Sequence, residues 1–157
     1  MIKIPYRPEI DGLRAISVIA VIFYHAGFDI FKGGFLGVDV FFVISGFLIT
    51  QIILKQNQLN KFSFKDFYLR RIRRILPMLY FVVLITIPLS FFTMFTEPLE
   101  YLGKTILRVN FFLSNFWFNN STNYFNELSN HSPLLHTWSL AVEEQFYIFF
   151  PILLYFG

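Results

Sequence analysis

Arg14 and His25 stand ten residues apart inside an otherwise apolar run, DGLRAISVIAVIFYHAGF, residues 11–28. On a helix an offset of eleven returns the second side chain to within roughly 20° of the first and places it about 16 Å further along the axis. A guanidinium and an imidazole on one helix face in lipid are the default signature of a working site. Imidazole, which titrates near ~6.5 as a free side chain, can take and return a proton, and guanidinium offers a fixed fork of donors to a phosphate or carbonyl oxygen. Three carboxylates could orient the ring or balance the charge: Asp39, which interrupts the second apolar run, and Glu143 and Glu144, which enter the last. Adjacent helical residues point about 100° apart, so only one of Glu143 and Glu144 need face a given group. Each residue alone also has an ordinary reading, as a snorkelling arginine, a bundle histidine, a structural counter-ion or a headgroup-level glutamate. The shared face of Arg14 and His25 tips the balance towards function.

The elements that must position these groups belong to a membrane protein. Of 157 residues, 55% are hydrophobic and 21% aromatic, and the 15% that are charged are too few to cover a soluble globule. Arginine at a helix centre in lipid costs about 2.5 to 3.5 kcal/mol, so the Arg14–His25 face is expected to point into a bundle or a wet cavity. The chain has no cysteine, which excludes disulfides, thiolate metal sites and a cysteine nucleophile. It shows no metal-ligand spacing, no phosphate-cradling glycine loop and no serine nucleophile elbow, so no metal is expected. Seven of the thirteen Lys and Arg residues lie between Lys55 and Arg74. Flanked by apolar runs, this cluster reads as a cytoplasmic segment and not as a nucleic-acid surface.

The expected fold is an all-α, polytopic transmembrane helix bundle with about four spans, at 10–28, 35–54, 75–96 and 138–157. Segment 55–74, where aromatic and basic residues alternate, is expected to form a cytoplasmic amphipathic helix. Segment 97–137 is expected outside, with residues 99–118 forming a surface or re-entrant helix because Glu100, Lys104 and Arg108 interrupt it. Lys3 and Arg7 place the N-terminus in the cytoplasm, and no small-residue cleavage site follows the first helix, so it reads as a retained anchor of a multi-pass plasma-membrane protein. Gly37, Ser45 and Gly46 are the small residues that would let a neighbour approach the second helix closely. His131 and His136, in the outer segment, read as solvated. Gly157 follows an apolar run with no polar flank, which reads as a cut within a longer domain.

Four stretches, DGLRAISVIAVIFYHAG, GGFLGVDVFFVISGFLIT, FYLRRIRRILP and LLHTWSLAVEEQFY, resemble in order the successive signatures of the membrane-bound acyltransferase 3 family. That family includes the O-antigen and exopolysaccharide O-acetylases, and the resemblance, from Tyr6 to about Pro151, covers the N-terminal half of its domain. It implies an acyl-CoA-dependent O-acyltransferase, most often an O-acetyltransferase, acting on hydroxyls of cell-surface or exported carbohydrate. His25 would be its central catalytic residue and Arg14 the partner, with Asp39 or one of Glu143 and Glu144 orienting the ring. Arg14 could also hold the incoming donor, acetyl-CoA or another acyl-CoA. Arg70, Arg71, Arg73 and Arg74 could attract its nucleotide phosphates, although lipid contact and stop-transfer suit them as well. Direct transfer and a covalent acyl-histidine both fit the chemistry. The implied partners are lipid, carbohydrate and other membrane proteins, with no nucleic acid. Two other classes share the pattern: a carrier or exporter subunit using Arg, His and Asp for proton or anion movement, and a non-catalytic membrane assembly protein.

Overall fold

The structure, a computed structural model, describes residues 7–120 and 132–156, and all regular elements among them are helical. They are α1 (Pro8–His25), two 3-10 turns (Asp29–Phe31 and Gly34–Leu36), α2 (Gly37–Gln58), α3 (Phe64–Thr93), α4 (Thr96–Asn110), α5 (Ser114–Asn120) and α6 (Thr137–Phe156). The chain forms two compact units. One runs to Phe62 and takes in the stretch from Leu153; the other is Ser63–Ile152.

In the first unit, α1 opens on Pro8, whose fixed φ suits a first helical position, with Glu9 and Asp11 complementing the positive end of the helix. It closes with a Schellman motif: Gly27 N–H donates to Tyr24 O (3.1 Å) and Phe28 N–H to Phe23 O (3.1 Å). Gly27 supplies the left-handed turn at φ +80°, and Phe28 packs edge-on against Phe23, ring centroids 5.2 Å apart. The chain then folds back on α1. A Cβ at Gly37 would stand 2.5 Å from Ser17 O and 2.9 Å from Val21 Cγ2. One at Gly34 would stand 2.9 Å from both Ala20 C and Tyr24 Cβ, and nearer still to the Ala20 carbonyl oxygen. Ser17, Ala20, Val21 and Tyr24, at helical spacing, are thus the packed face of α1. Gly37, Ile44, Ser45, Ile49 and Ile53 form the buried stripe of α2.

In the second unit, the Ser63 hydroxyl accepts from Asp66 N–H (3.3 Å) and caps α3, a helix of 30 residues running through Pro77 and Pro88. The expected amphipathic helix over 55–74 is therefore corrected. Its first residues finish α2, and Lys65 to Arg74 are the opening turns of α3 itself. Leu79 and Val83 of α3 pack with Leu102 and Val109 of α4 and with Leu134 as a buried cluster. Segment 99–118 divides into α4 and α5 across a turn in which Phe112 adopts φ +53°. α4 turns Leu102, Thr105 and Val109 inward and leaves Glu97, Glu100 and Lys104 exposed. Its 15 residues reach only about 22 Å, short of the ~30 Å hydrocarbon layer.

Two helical stretches, Gly34–Gln58 and Phe64–Thr93, are long and apolar enough to cross a membrane, with only 28% and 17% of their apolar windows buried. The core helix of a soluble protein would bury most of its apolar surface. The other two expected spans coincide with helices that carry charge, Glu9, Asp11 and Arg14 in α1 and Glu143 and Glu144 in α6.

Candidate functional site

The first unit carries Arg14, His25 and Asp39. Both cations lie on the unbroken helix α1, so the eleven-residue offset holds and they share a face. That face lies roughly 80° around the helix from the packed residues Ser17, Ala20, Val21 and Tyr24. The stripe thus flanks the packed face and is not at its centre. The Arg14 side chain, 28% exposed, places its guanidinium carbon 5.5 Å from the centroid of the Phe41 ring on α2, and its Nη1 lies 3.9 Å from Asp11 Oδ1. His25, the last residue of α1, is exposed among the described residues.

The orientation of His25 is set locally. Its Nδ1 lies 2.9 Å from Val21 O, one turn back. A carbonyl oxygen only accepts, so Nδ1 carries the hydrogen, and in the neutral ring Nε2 holds the lone pair. Asp39 was expected to pair with a cation or fix this tautomer. It does neither among the described residues, and sits exposed in the first turn of α2, where a carboxylate complements the helix dipole.

The second unit gathers a different set. Arg71 is the one residue of the Arg70 to Arg74 cluster that is turned inward; Arg70, Arg73 and Arg74 are exposed. Its guanidinium carbon lies 4.6 Å from the Tyr147 ring centroid and 5.7 Å from that of Phe67, two rings that are nearly fully buried. Flat stacking on aromatic faces is a preferred arginine environment. Both glutamates lie within electrostatic reach of this guanidinium. Tyr147 O–H donates to Glu143 Oε1 one turn back on α6. Glu144 is only 8% exposed, and its Oε1 has no hydrogen-bond partner among the described residues. The two neighbours therefore differ as their 100° separation demands, one tied to a tyrosine and the other holding a buried open acceptor.

Three polar residues of this unit carry no chemical signature in the sequence. Tyr147 was legible only as an interfacial aromatic, although Glu143 and Tyr147 stand at the i, i+4 spacing that pairs helical side chains. Tyr68 O–H donates to Ile148 O (2.8 Å) and ties α3 to α6. Gln145 Nε2 donates to Phe112 O (2.7 Å) and to Asn115 Oδ1 (3.0 Å), while Asn115 Nδ2 donates back to Gln145 Oε1 (3.1 Å). His136 is exposed, and His131 lies outside the described residues, as does Lys3.

The peptidoglycan O-acetyltransferase OatA of Listeria monocytogenes is 46% identical over 151 residues, covering 95% of this chain and 24% of the relative. The putative peptidoglycan O-acetyltransferase YrhL of Bacillus subtilis is 45% identical over 157 residues, covering 97% and 24%. A putative O-acetyltransferase of Staphylococcus aureus is 43% identical over 154 residues, covering 97% and 25%. The chain thus spans about a quarter of the length of these curated relatives. No solved structure matches it. Residues 7–156, nearly the whole chain, match the acyltransferase 3 family, described as an acyltransferase domain, and the chain belongs to that family.

Proposed function

We propose that this chain is the N-terminal part of a multi-pass membrane O-acetyltransferase that moves an acetyl group from acetyl-CoA to a hydroxyl of peptidoglycan glycan. The observation that carries the reading is the hydrogen bond from His25 Nδ1 to Val21 O, which leaves Nε2 as the basic nitrogen on the same face as Arg14. A base so oriented can take the proton of a sugar hydroxyl as its oxygen attacks the thioester carbonyl. The carbon–sulfur bond then breaks, and the proton passes to the departing CoA thiolate. An acyl group carried on Nε2 is the two-step form of the same reaction.

Arg14 supplies charge beside that face and receives the donor's phosphate or carbonyl oxygen. The exposed arginines Arg70, Arg73 and Arg74 attract nucleotide phosphates or anionic headgroups at the cytoplasmic side. In the second unit Glu144 is the carboxylate available to a substrate donor, since Glu143 is engaged by Tyr147. The names of the relatives favour peptidoglycan as acceptor over O-antigen or exopolysaccharide.

The assay is transfer of labelled acetyl from acetyl-CoA to peptidoglycan strands in membranes. His25→Ala should abolish transfer while membrane insertion persists; retained turnover would remove His25 from the chemistry. Cysteine tags at Lys65 and Asn120 should label from opposite faces of the bilayer, and labelling from one face would overturn the multi-pass arrangement.

A further inference from the structure

The second unit holds a cavity of about 460 Å³ lined by Asn115, Phe116, Phe118 and Asn119 of α5 and Trp138 at the start of α6. Its size falls in the range of small-ligand sites. Its described lining residues supply three aromatic rings and two amides. Its walls are held in place. Ser114 O–H donates to Thr137 O (3.0 Å), and the reciprocal amide pair of Asn115 with Gln145 is anchored in turn to Phe112 O. That pairing uses one N–H of Asn115 and leaves its second N–H and an oxygen lone pair for another partner. Phe118 is 3% exposed, while Phe116 and Asn119 are open to solvent.

We infer that this cavity is an acceptor subsite that takes one sugar ring of the glycan. A pyranose offers a patch of C–H groups to an aromatic face and a hydroxyl that can both donate to and accept from an amide, which is the pairing Asn115 has left. The inference rests on the transferase reading above and adds to it where the acceptor is held.

The test uses the purified protein with Phe116→Ala and Asn119→Ala, both exposed side chains whose loss spares the buried staples. In acetyl transfer, each substitution should raise the half-saturating concentration of peptidoglycan strands about tenfold, the equivalent of one lost hydrogen bond or ring contact. The half-saturating concentration of acetyl-CoA should stay at the wild-type value. Wild-type glycan dependence in both variants, with His25→Ala inactive, would overturn the subsite and leave the transferase standing. If the wild-type protein transfers no acetyl group, the transferase reading fails by itself. The cavity is then read by Trp138 fluorescence during titration with N-acetylglucosaminyl-N-acetylmuramic acid alone. Saturable quenching lost in Trp138→Phe and Phe116→Ala supports a sugar site, and its absence in the wild type overturns it.

Discussion

Replacing Gly34 by alanine adds a single methyl group where the chain crosses α1. That carbon would stand 2.9 Å from Ala20 C and from Tyr24 Cβ, and nearer still to the Ala20 carbonyl oxygen, inside the 3.0 Å that real Cβ contacts respect. The oxygen and the carbon belong to helix backbone and cannot rotate away, so α1 or the Gly34–Leu36 turn must shift bodily. Overpacking of this kind costs about 1 to 3 kcal/mol. Gly33 is the built-in control, since a Cβ there meets nothing within 4 Å and the residue has φ −88°. G33A should therefore stay within about 0.5 kcal/mol of wild type. The assay is unfolding of the detergent-purified protein followed by intrinsic fluorescence, with both variants and wild type at one detergent concentration. G34A should lose about 1 to 3 kcal/mol and G33A almost nothing. Equal stability of the two variants would refute the close approach of this turn to α1.

Three other outcomes follow from the second unit. Arg71→Met strips the guanidinium that lies over the Tyr147 ring and within electrostatic reach of Glu144; it should cost about 1 kcal/mol, and its effect combined with Glu144→Gln should be less than additive. Strict additivity in a double-mutant unfolding cycle would show that the two charges do not sense each other. Ser63→Ala removes the cap of α3 and should cost about 1 kcal/mol, with Ser63→Asp near neutral; an unchanged unfolding midpoint for the alanine variant would refute the cap. The Glu100 carboxylate, 2.6 Å from Lys104 Nζ, is held below its usual titration range by that hydrogen bond and charge. Its pairing contributes above the unfolded-state pKa and is lost as pH falls through the lower folded value. Carboxyl NMR should show the depression vanish in Lys104→Met, and an unaltered titration there would assign it elsewhere.

The sequence reading reached the helical class and the common face of Arg14 and His25 because both depend on period along one element. Which face another helix covers depends on partners and is not legible along one element. The Arg14–His25 face was expected to look into a bundle or a wet cavity, and Gly34 and Gly37 dock beside it, on Ser17, Ala20, Val21 and Tyr24. The close approach at Gly34 leaves no local trace in the sequence. The helix start at Ser63 was legible, since Ser63 followed by Asp66 is a capping pattern, yet the density of positive charge drew attention to a cytoplasmic loop. Arg71 could not be told from its three neighbours by composition. Only the buried rings of Phe67 and Tyr147 single it out.

The Schellman turn after α1 has a chemical corollary. Which ring nitrogen of His25 carries the hydrogen is decided by a carbonyl one turn upstream, so it depends on the winding of the final four residues. Were that end to fray, the imidazole would lose its acceptor and could exchange tautomers freely, and the Nε2 lone pair would no longer have a fixed direction. A glycine two residues beyond the ring thereby governs the aim of the imidazole.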